Sequence, residues 1–541
     1  MKIEEQLLNT ISDNGQIPLT NELPSEFAER LGKIYAKSAS SEHKKTNGQF
    51  FTPKEIGTFM SKLVTFEQKK IKILDPGCGT AILSCCLIEY CIIKNKEIAE
   101  IELVVYETDN EIIPFLNIIL NYLEVWLKKL NTHFISTLYN YDFVLENKIC
   151  FEMNAPLFFE AQTKTFDIVI SNPPYFKVPK NDKRAIVAKS IIWGQPNIYS
   201  IFMMVATKLL KENGQLVFIT PRSFTSGNYF RAFREAFFQE IEIEHIHLFD
   251  SRTDAFEKDS ILQETLILKG KKKQLNIHIP EIIVTHSCGI SDLNNHKVKK
   301  YKTNELIDYY SKEKIIHLPI NDKDDNVIKL FKSWSGCLNE YNIKISTGPV
   351  VSFRASQYLF NQYQNENIFL VPLYQLINTS KMNFEWPVSK KDKPQYIQLC
   401  DESRSLLLPN KNYIFLRRFS AKDDKSRLIA APYFADTKWE YIGIENHLNY
   451  IYRPNGILEN NEIFGLSALF NSNLFDTYFR TFNGNINVSA TELREMRLPP
   501  IEDIKKIGNQ VILKGYFSQK DIDIFINSYF SVDYLFKHEQ N

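Results

Sequence analysis

The chain has 541 residues, enough for two domains, and its 44% hydrophobic and 24% charged content is that of a folded globular protein. A formal net charge of +1 neither demands nor excludes a polyanionic partner, so any basic surface has to come from how the charges are distributed. No run of about twenty uncharged apolar residues occurs, which argues against a membrane-spanning helix. The opening MKIEEQLLNTISDNGQ carries acidic residues and no apolar core, so a signal peptide is not expected and a cytoplasmic location is.

Taken in chain order, residues 1–45 form a polar lead-in with one amphipathic helix expected over about Ser25 to Ala39. From Ile71 to about Lys269, apolar strands alternate with helices. KILD (72–75) leads into a helix, ILSCCLIEYCIIK, and ELVVYETD (102–109) into a second helix over 113–130. Further strands are expected at FDIVIS (166–171), QLVFIT (215–220), HIHLFD (245–250) and ETLILK (264–269), with helices near 197–211 and 229–240. Such alternation predicts an α/β fold with a largely parallel, doubly wound, Rossmann-like sheet. The last two strands, close in sequence, should make an antiparallel hairpin at the sheet's edge. The clustered cysteines at 78, 85, 86 and 91 lack metal-ligand spacing and suit small core positions, so no metal site is expected. The chain changes character over about 275–325. With the boundary drawn after residue 275, residues 276–541 form a second, α+β domain.

Two turns carry chemistry. ILDPGCGTAILS (73–84) runs a strand into Gly77 and Gly79 and then a helix, a turn that lets backbone approach a ligand at the strand's carboxyl end. The next strand ends at Glu107, placed to accept from ribose hydroxyls. The loop has neither GxGxxG nor a P-loop lysine, so a ribose-bearing cofactor without pyrophosphate fits better than a dinucleotide. In FDIVISNPPYFK (166–177), a strand stops at Asn172 and Pro173-Pro174 forces a rigid exit from the sheet. The Asn172 side-chain oxygen and the Pro173 carbonyl are two fixed acceptors, able to grip both N–H bonds of an exocyclic amine such as adenine's. That grip would turn a delocalised nitrogen into a nucleophile. Tyr175 would offer a face for a base to stack on, and positioning would supply the catalysis.

In this order, GQFFTPKEIGTFM (48–60), ILDPGCGTAILS, VVYETD and ISNPPYF resemble the gamma class of DNA adenine-N6 methyltransferases, the TaqI-like type found in type II restriction-modification systems. The resemblance is strong over roughly 45–270 and weak beyond. It implies S-adenosylmethionine as cofactor, a catalytic domain over 46–275, and a target-recognition domain over 276–541. Phe51, Thr52 and Pro53 would cover the cofactor's methionine, Asp75, Gly77 and Gly79 would frame its amino-acid end, and Glu107 would hold its ribose. Asp142 and Phe143, in YNYDFVL, would take the cofactor's adenine. Asn172, Pro173, Pro174 and Tyr175 would be catalytic, with Phe256 sandwiching the flipped base against Tyr175.

In the second half, RSLLLPNKNYIFLRRFSAKDDKSR (404–427) interleaves basic and aromatic residues. Arg417, Arg418, Lys422, Lys425 and Arg427 there, with Arg354 of STGPVVSFR (346–354), are the expected contacts to double-stranded DNA. The expected protein is thus a monomeric, site-specific adenine methyltransferase acting on a flipped base, beside a cognate restriction endonuclease that shares its site. Three competing readings stand beside it. One is an RNA or protein-glutamine amino methyltransferase, disfavoured by the FFTP segment and the long second half. Another is a fused nuclease-methylase, disfavoured by the short stretch before FFTP. The last is a non-catalytic DNA-binding protein, disfavoured by the intact motifs.

Overall fold

The computed structural model describes residues 16–40, 43, 52–152, 165–194, 196–249, 265–273, 281–309, 311–363, 368–388, 393–420, 424–483 and 487–536. The chain divides into two compact units, one of residues 1–225 and 229–316, the other of 226–228 and 317–541. The first extends well past residue 275 because the sheet does not stop at the last two expected strands.

Unit 1 begins with α1 (Pro24–Ser38), whose Pro24 suits a helix start and whose Phe27, Leu31 and Tyr35 recur on one buried face. The next helix is α2 (Lys54–Lys62), then β1 (Lys70–Pro76) and α3 (Ile82–Lys94). Helix α3 is apolar on nearly every side because it is enclosed: α1 and α2 pack on it, and Cys85, Cys86 and Cys91 lie in that core. The lead-in helix therefore belongs to the core of unit 1, and Glu89 of α3 fastens it by accepting from the Ser25 backbone N–H and hydroxyl at 2.7 and 2.8 Å.

After α3 come β2 (Glu100–Tyr106), α4 (Ile113–Lys129), β3 (His133–Tyr139), the short α5 (Phe143–Glu146) and β4 (Phe166–Ser171). Then follow α6 (Lys183–Val187), α7 (Ile198–Leu209), β5 (Leu210–Pro221), α8 (Arg231–Glu240), β6 (Ile241–Phe249) and β7 (Thr265–Lys272). Strands β8 (Glu281–Ser287) and β9 (Lys297–Lys302) complete a nine-stranded sheet in the order β3-β2-β1-β4-β5-β7-β6-β8-β9. Strands β1 to β5 run parallel, which makes this the doubly wound methyltransferase-like sheet expected. The hairpin expectation needs a correction. Strands β6 and β7 pair antiparallel, but β7 inserts between β5 and β6, and β8 and β9 place the edge two strands further out.

The order reverses at β1 and β4, which pair directly through Ile73 with Ile168 and Leu74 with Val169. A ligand in such a sheet sits beyond the carboxyl ends of strands at this reversal. The glycine turn after β1 and the Asn-Pro-Pro-Tyr turn after β4 thus emerge side by side.

Unit 2 is α+β. Strands Lys344–Thr347, Leu448–Tyr452, Tyr413–Arg417 and Ala430–Tyr433 form one antiparallel sheet, and five short strands form another. Helices Asn460–Asn471, Asn473–Phe482, Ile501–Lys514 and Gln519–Tyr529 pack with them. Among the described residues no helix is long and apolar enough to cross a membrane.

Candidate functional site

Where β1 ends, Gly77 and Gly79 take φ of +72° and +55°, in the left-handed region where a side chain is strained. The turn is tied to the end of β2: the Gly77 and Cys78 N–H groups donate to Tyr106 O at 2.9 and 3.1 Å. Glu107 follows immediately, 8% exposed. Its Oε2 accepts from the Gly79 N–H at 2.9 Å and its Oε1 from the Thr108 and Asp109 N–H groups at 2.8 and 2.9 Å. Burial raises this carboxyl above the ordinary range, and those three backbone donors pull it back. Asp109, two residues on, accepts from the Tyr35 hydroxyl at 2.5 Å and contacts His43 Nε2 at 2.9 Å, so the lead-in braces the same loop.

Asp75, on β1, is 1% exposed and accepts from the Ser84 hydroxyl at 2.7 Å, while its Oδ1 is buried without a hydrogen-bond partner. Burial pushes its carboxyl up to about 7, against the lowering pull of Ser84. Asp142 caps α5, its Oδ1 accepting from the Val144 and Leu145 N–H groups at 2.9 Å each. Phe143 behind it packs edge-on against Tyr106 and at a tilt against Phe202, with ring centroids 5.0 and 5.1 Å apart.

At the end of β4 the Ser171 hydroxyl donates to Pro76 O at 2.7 Å, locking the two turns together. Asn172 donates through Nδ2 to the Thr52 hydroxyl at 3.0 Å and accepts at Oδ1 from the Tyr175 hydroxyl at 2.5 Å. The Tyr175 hydroxyl also lies 2.8 Å from Ile219 O on β5. Here the expected role of Tyr175 meets a different placement. A buried phenol needs a polar partner, and finding it inward leaves the ring 8% exposed beneath Asn172 and outside the cavity's walls.

These groups surround one cavity of about 320 Å³. Thr52, Gly77, Gly79, Glu107, Asp142, Phe143, Asn172 and Pro174 line it, bringing six of the expected cofactor residues beside the Asn-Pro-Pro-Tyr loop, while Pro53 and Asp75 are not in the wall. Pro53 is the N-cap of α2, and Pro173 is buried between the two wall residues Asn172 and Pro174. Phe51, Phe256 and Lys422 fall outside the described residues.

Sequence reasoning missed several wall residues, Arg184 above all. Its guanidinium forks onto Asp182 through Nε and Nη2 at 2.9 and 2.6 Å, sits 5.3 Å over the Phe176 ring, and approaches Asp142 Oδ2 to 3.6 Å. No local motif announces it, because its relation to Asp142 spans forty-two positions of sequence. Among the described residues it is the only lysine or arginine in the lining. A wall with two carboxylates, one already paired cation and backbone turns suits a ribose and a positively charged amino-acid group, and offers nothing for a pyrophosphate. The two wall carboxylates and the glycine turn fit S-adenosylmethionine, while Asp75 lies buried behind the wall with its Oδ1 unpartnered.

The basic residues of unit 2 separate into two groups. Arg427 is 2% exposed, donates to Asn483 Oδ1 at 2.7 Å and lies 6.0 Å from the Phe479 ring, so its expectation as a DNA contact is corrected: it is a core residue. Arg417 is half-buried and donates to Thr379 O at 2.7 Å. Lys425 and Arg354 are exposed, and Arg418 is partly so.

Residues 90–256 match the Eco57I restriction-modification methylase family. The type II methyltransferase M.PstI of Providencia stuartii is 29% identical over 485 residues, 89% of this chain and 92% of its own. M.BsuBI of Bacillus subtilis, of the same description, is 30% identical over 475 residues, 87% of this chain and 91% of its own. M.AccI of Acinetobacter calcoaceticus is 25% identical over 244 residues, 44% of this chain and 39% of its own.

Proposed function

Because the chain belongs to the type II methyltransferases of restriction-modification systems, we propose that this site-specific DNA methyltransferase transfers the methyl of S-adenosylmethionine to the N6 amine of an adenine flipped out of double-stranded DNA. The observation that supports this most is the placement of Asn172 and Pro174 in one cavity wall with Glu107, Asp142 and the glycine turn. An amine held by that loop lies beside the cofactor's place.

The cofactor supplies an electrophilic methyl group. Glu107 holds the ribose, with three backbone donors fixing its orientation. Asp142 takes the adenine amine of the cofactor with the oxygen its helix cap leaves over. Asp75 serves the amino-acid end from beneath the turn. For the target, the Asn172 Oδ1 and the Pro173 carbonyl accept the two N–H bonds of the amine. This localises the nitrogen lone pair and aims it at the methyl group. Thr52 and Tyr175 hold the Asn172 amide in place. The leaving proton passes to solvent after transfer.

The whole works as a cytoplasmic monomer on DNA whose methylation protects it from an endonuclease of the same specificity. The test offers labelled S-adenosylmethionine with DNA, RNA and protein in parallel. Label is expected in DNA alone, and Asn172→Ala should lower transfer by about 1,000-fold while DNA affinity holds. Label in RNA or protein, or undiminished turnover in that variant, would reject the reading.

A further inference from the structure

The arginines of the 404–427 run are largely occupied within unit 2: Arg404 stacks 3.6 Å from the Tyr441 ring, Arg417 serves Thr379 O, and Arg427 is buried. Arg418, partly exposed, stands at one edge, where the loop after strand Lys344–Thr347 meets the end of strand Tyr413–Arg417 and the turn before strand Leu448–Tyr452. The Val350 N–H donates to Ile444 O and the Asn446 N–H to Val350 O, at 3.0 and 2.8 Å. Glu445, 4% exposed, accepts from the Ser352 hydroxyl at 2.7 Å and pairs with His447 Nδ1 at 3.1 Å, so one buried carboxylate anchors both loops. His447 meets the Phe419 ring edge-on at 4.9 Å, and Arg418 donates to Asn446 O at 3.0 Å.

Two Arg–Phe pairs stand on this edge. Arg354 lies 5.3 Å from the ring of Phe353, which is 77% exposed, and Arg418 lies 5.6 Å from the ring of Phe419, 37% exposed. Neither arginine forms an ion pair with a carboxylate among the described residues. An exposed large aromatic costs solvation unless something covers it, and a cation beside each ring selects an anionic cover. A rigid, polar-buttressed edge with paired rings and guanidinium groups matches a nucleic-acid duplex, whose phosphates take the cations and whose grooves and base steps take flat apolar groups.

We propose that this edge is the surface of unit 2 that grips double-stranded DNA, with Arg354 and Arg418 on phosphates and Phe353 as an apolar probe of the helix. The proposal rests on the reading of the chain as a DNA methyltransferase. It keeps Arg354 and Arg418 of the expected contacts, leaves out Arg417 and Arg427, which serve the fold of unit 2, and adds Phe353.

The test uses the full chain and a fluorescent duplex carrying the site mapped by sequencing methylated DNA from expressing cells, beside a random duplex of equal length. Arg354→Ala and Arg418→Ala should each weaken binding to both duplexes about tenfold and flatten the salt dependence by about one ion. Phe353→Ala should weaken the specific duplex by tenfold or more and the random duplex by less than twofold. Cofactor affinity and melting temperature should stay as in the parent, and Phe517→Ala, a half-exposed phenylalanine elsewhere in unit 2, serves as the control. Binding of all three edge variants within twofold of the parent would overturn the proposal. A parent that methylates DNA while these variants bind normally sinks the edge alone, whereas a parent that binds neither duplex and transfers nothing to DNA sinks the underlying reading.

Discussion

The cofactor wall of unit 1 and the basic run of unit 2 look alike in sequence, as short stretches of suggestive residues, yet they fold to opposite ends. In the wall, backbone orients the carboxylates, Glu107 through three N–H groups and Asp142 through a helix cap, while Asn172 at the strand's end is held by the Thr52 and Tyr175 hydroxyls. In the run, Arg417 and Arg427 turn inward to a carbonyl and an amide, Arg404 lies over the Tyr441 ring, and Arg418 stays partly exposed. A motif that prescribes a backbone path fixes where its side chains point. A charge run prescribes no path, and its members serve whatever partner lies within reach.

Removing an aimed group should therefore cost function, and removing an absorbed one should cost stability. After the loss already expected of Asn172→Ala comes Glu107: Glu107→Ala should weaken S-adenosylmethionine binding about 100-fold, since it would delete the proposed charge-assisted bonds to the ribose and free the Gly79 N–H. Isothermal titration measures this, and an unchanged affinity would remove Glu107 from the cofactor site. Next comes Arg427→Ala, expected to destabilise unit 2 by about 3 kcal/mol in urea unfolding, because it empties a buried site between Asn483 and Phe479. Loss of DNA affinity in a variant as stable as the parent would instead make Arg427 a DNA contact.

Gly79→Ala should cost about 1 to 2 kcal/mol, since φ of +55° strains any L side chain, and should weaken cofactor binding along with stability. A variant with parental melting temperature would show that the turn tolerates a side chain. The smallest expected effect lies in the buried histidines of β6. Burial, helped by neighbouring cations, pushes His245 down to about 4 and His247 to about 3. Both stay neutral in the fold and protonate more readily when unfolded, so their contribution is intact above about 6.5 and is lost as the pH falls from there towards 4 and 3. The stability lost between pH 7.5 and 5 should be smaller in His247→Asn than in the parent, and an identical loss would exclude this histidine from the acid response.

The same contrast explains what was legible in the sequence. The expected helix over 82–94 coincides with α3, because a continuous apolar run between a glycine turn and a polar stop leaves little freedom. Strand β3 escaped notice: as an outer strand it exposes much of HFISTLY, and its polar residues hide the alternation. Strands β8 and β9 were obscured by a lysine-rich stretch, yet lysines suit an edge such as β9. In the site, Gly77, Glu107 and Asn172 were readable because each sits at a strand end that the pattern marks, whereas Asp142 came only from the family resemblance, its four-residue helix being too short to show a period. Arg184 and the inward turn of the Tyr175 hydroxyl were not, since both depend on partners far away in sequence.

The most direct check of the central claim is the identity of the methylated nucleoside. DNA modified by the purified protein with S-adenosylmethionine is digested to nucleosides and resolved by mass spectrometry. The Asn172 loop predicts N6-methyldeoxyadenosine as the sole new product, and N4-methyldeoxycytidine in its place would contradict the assignment of the pocket to adenine.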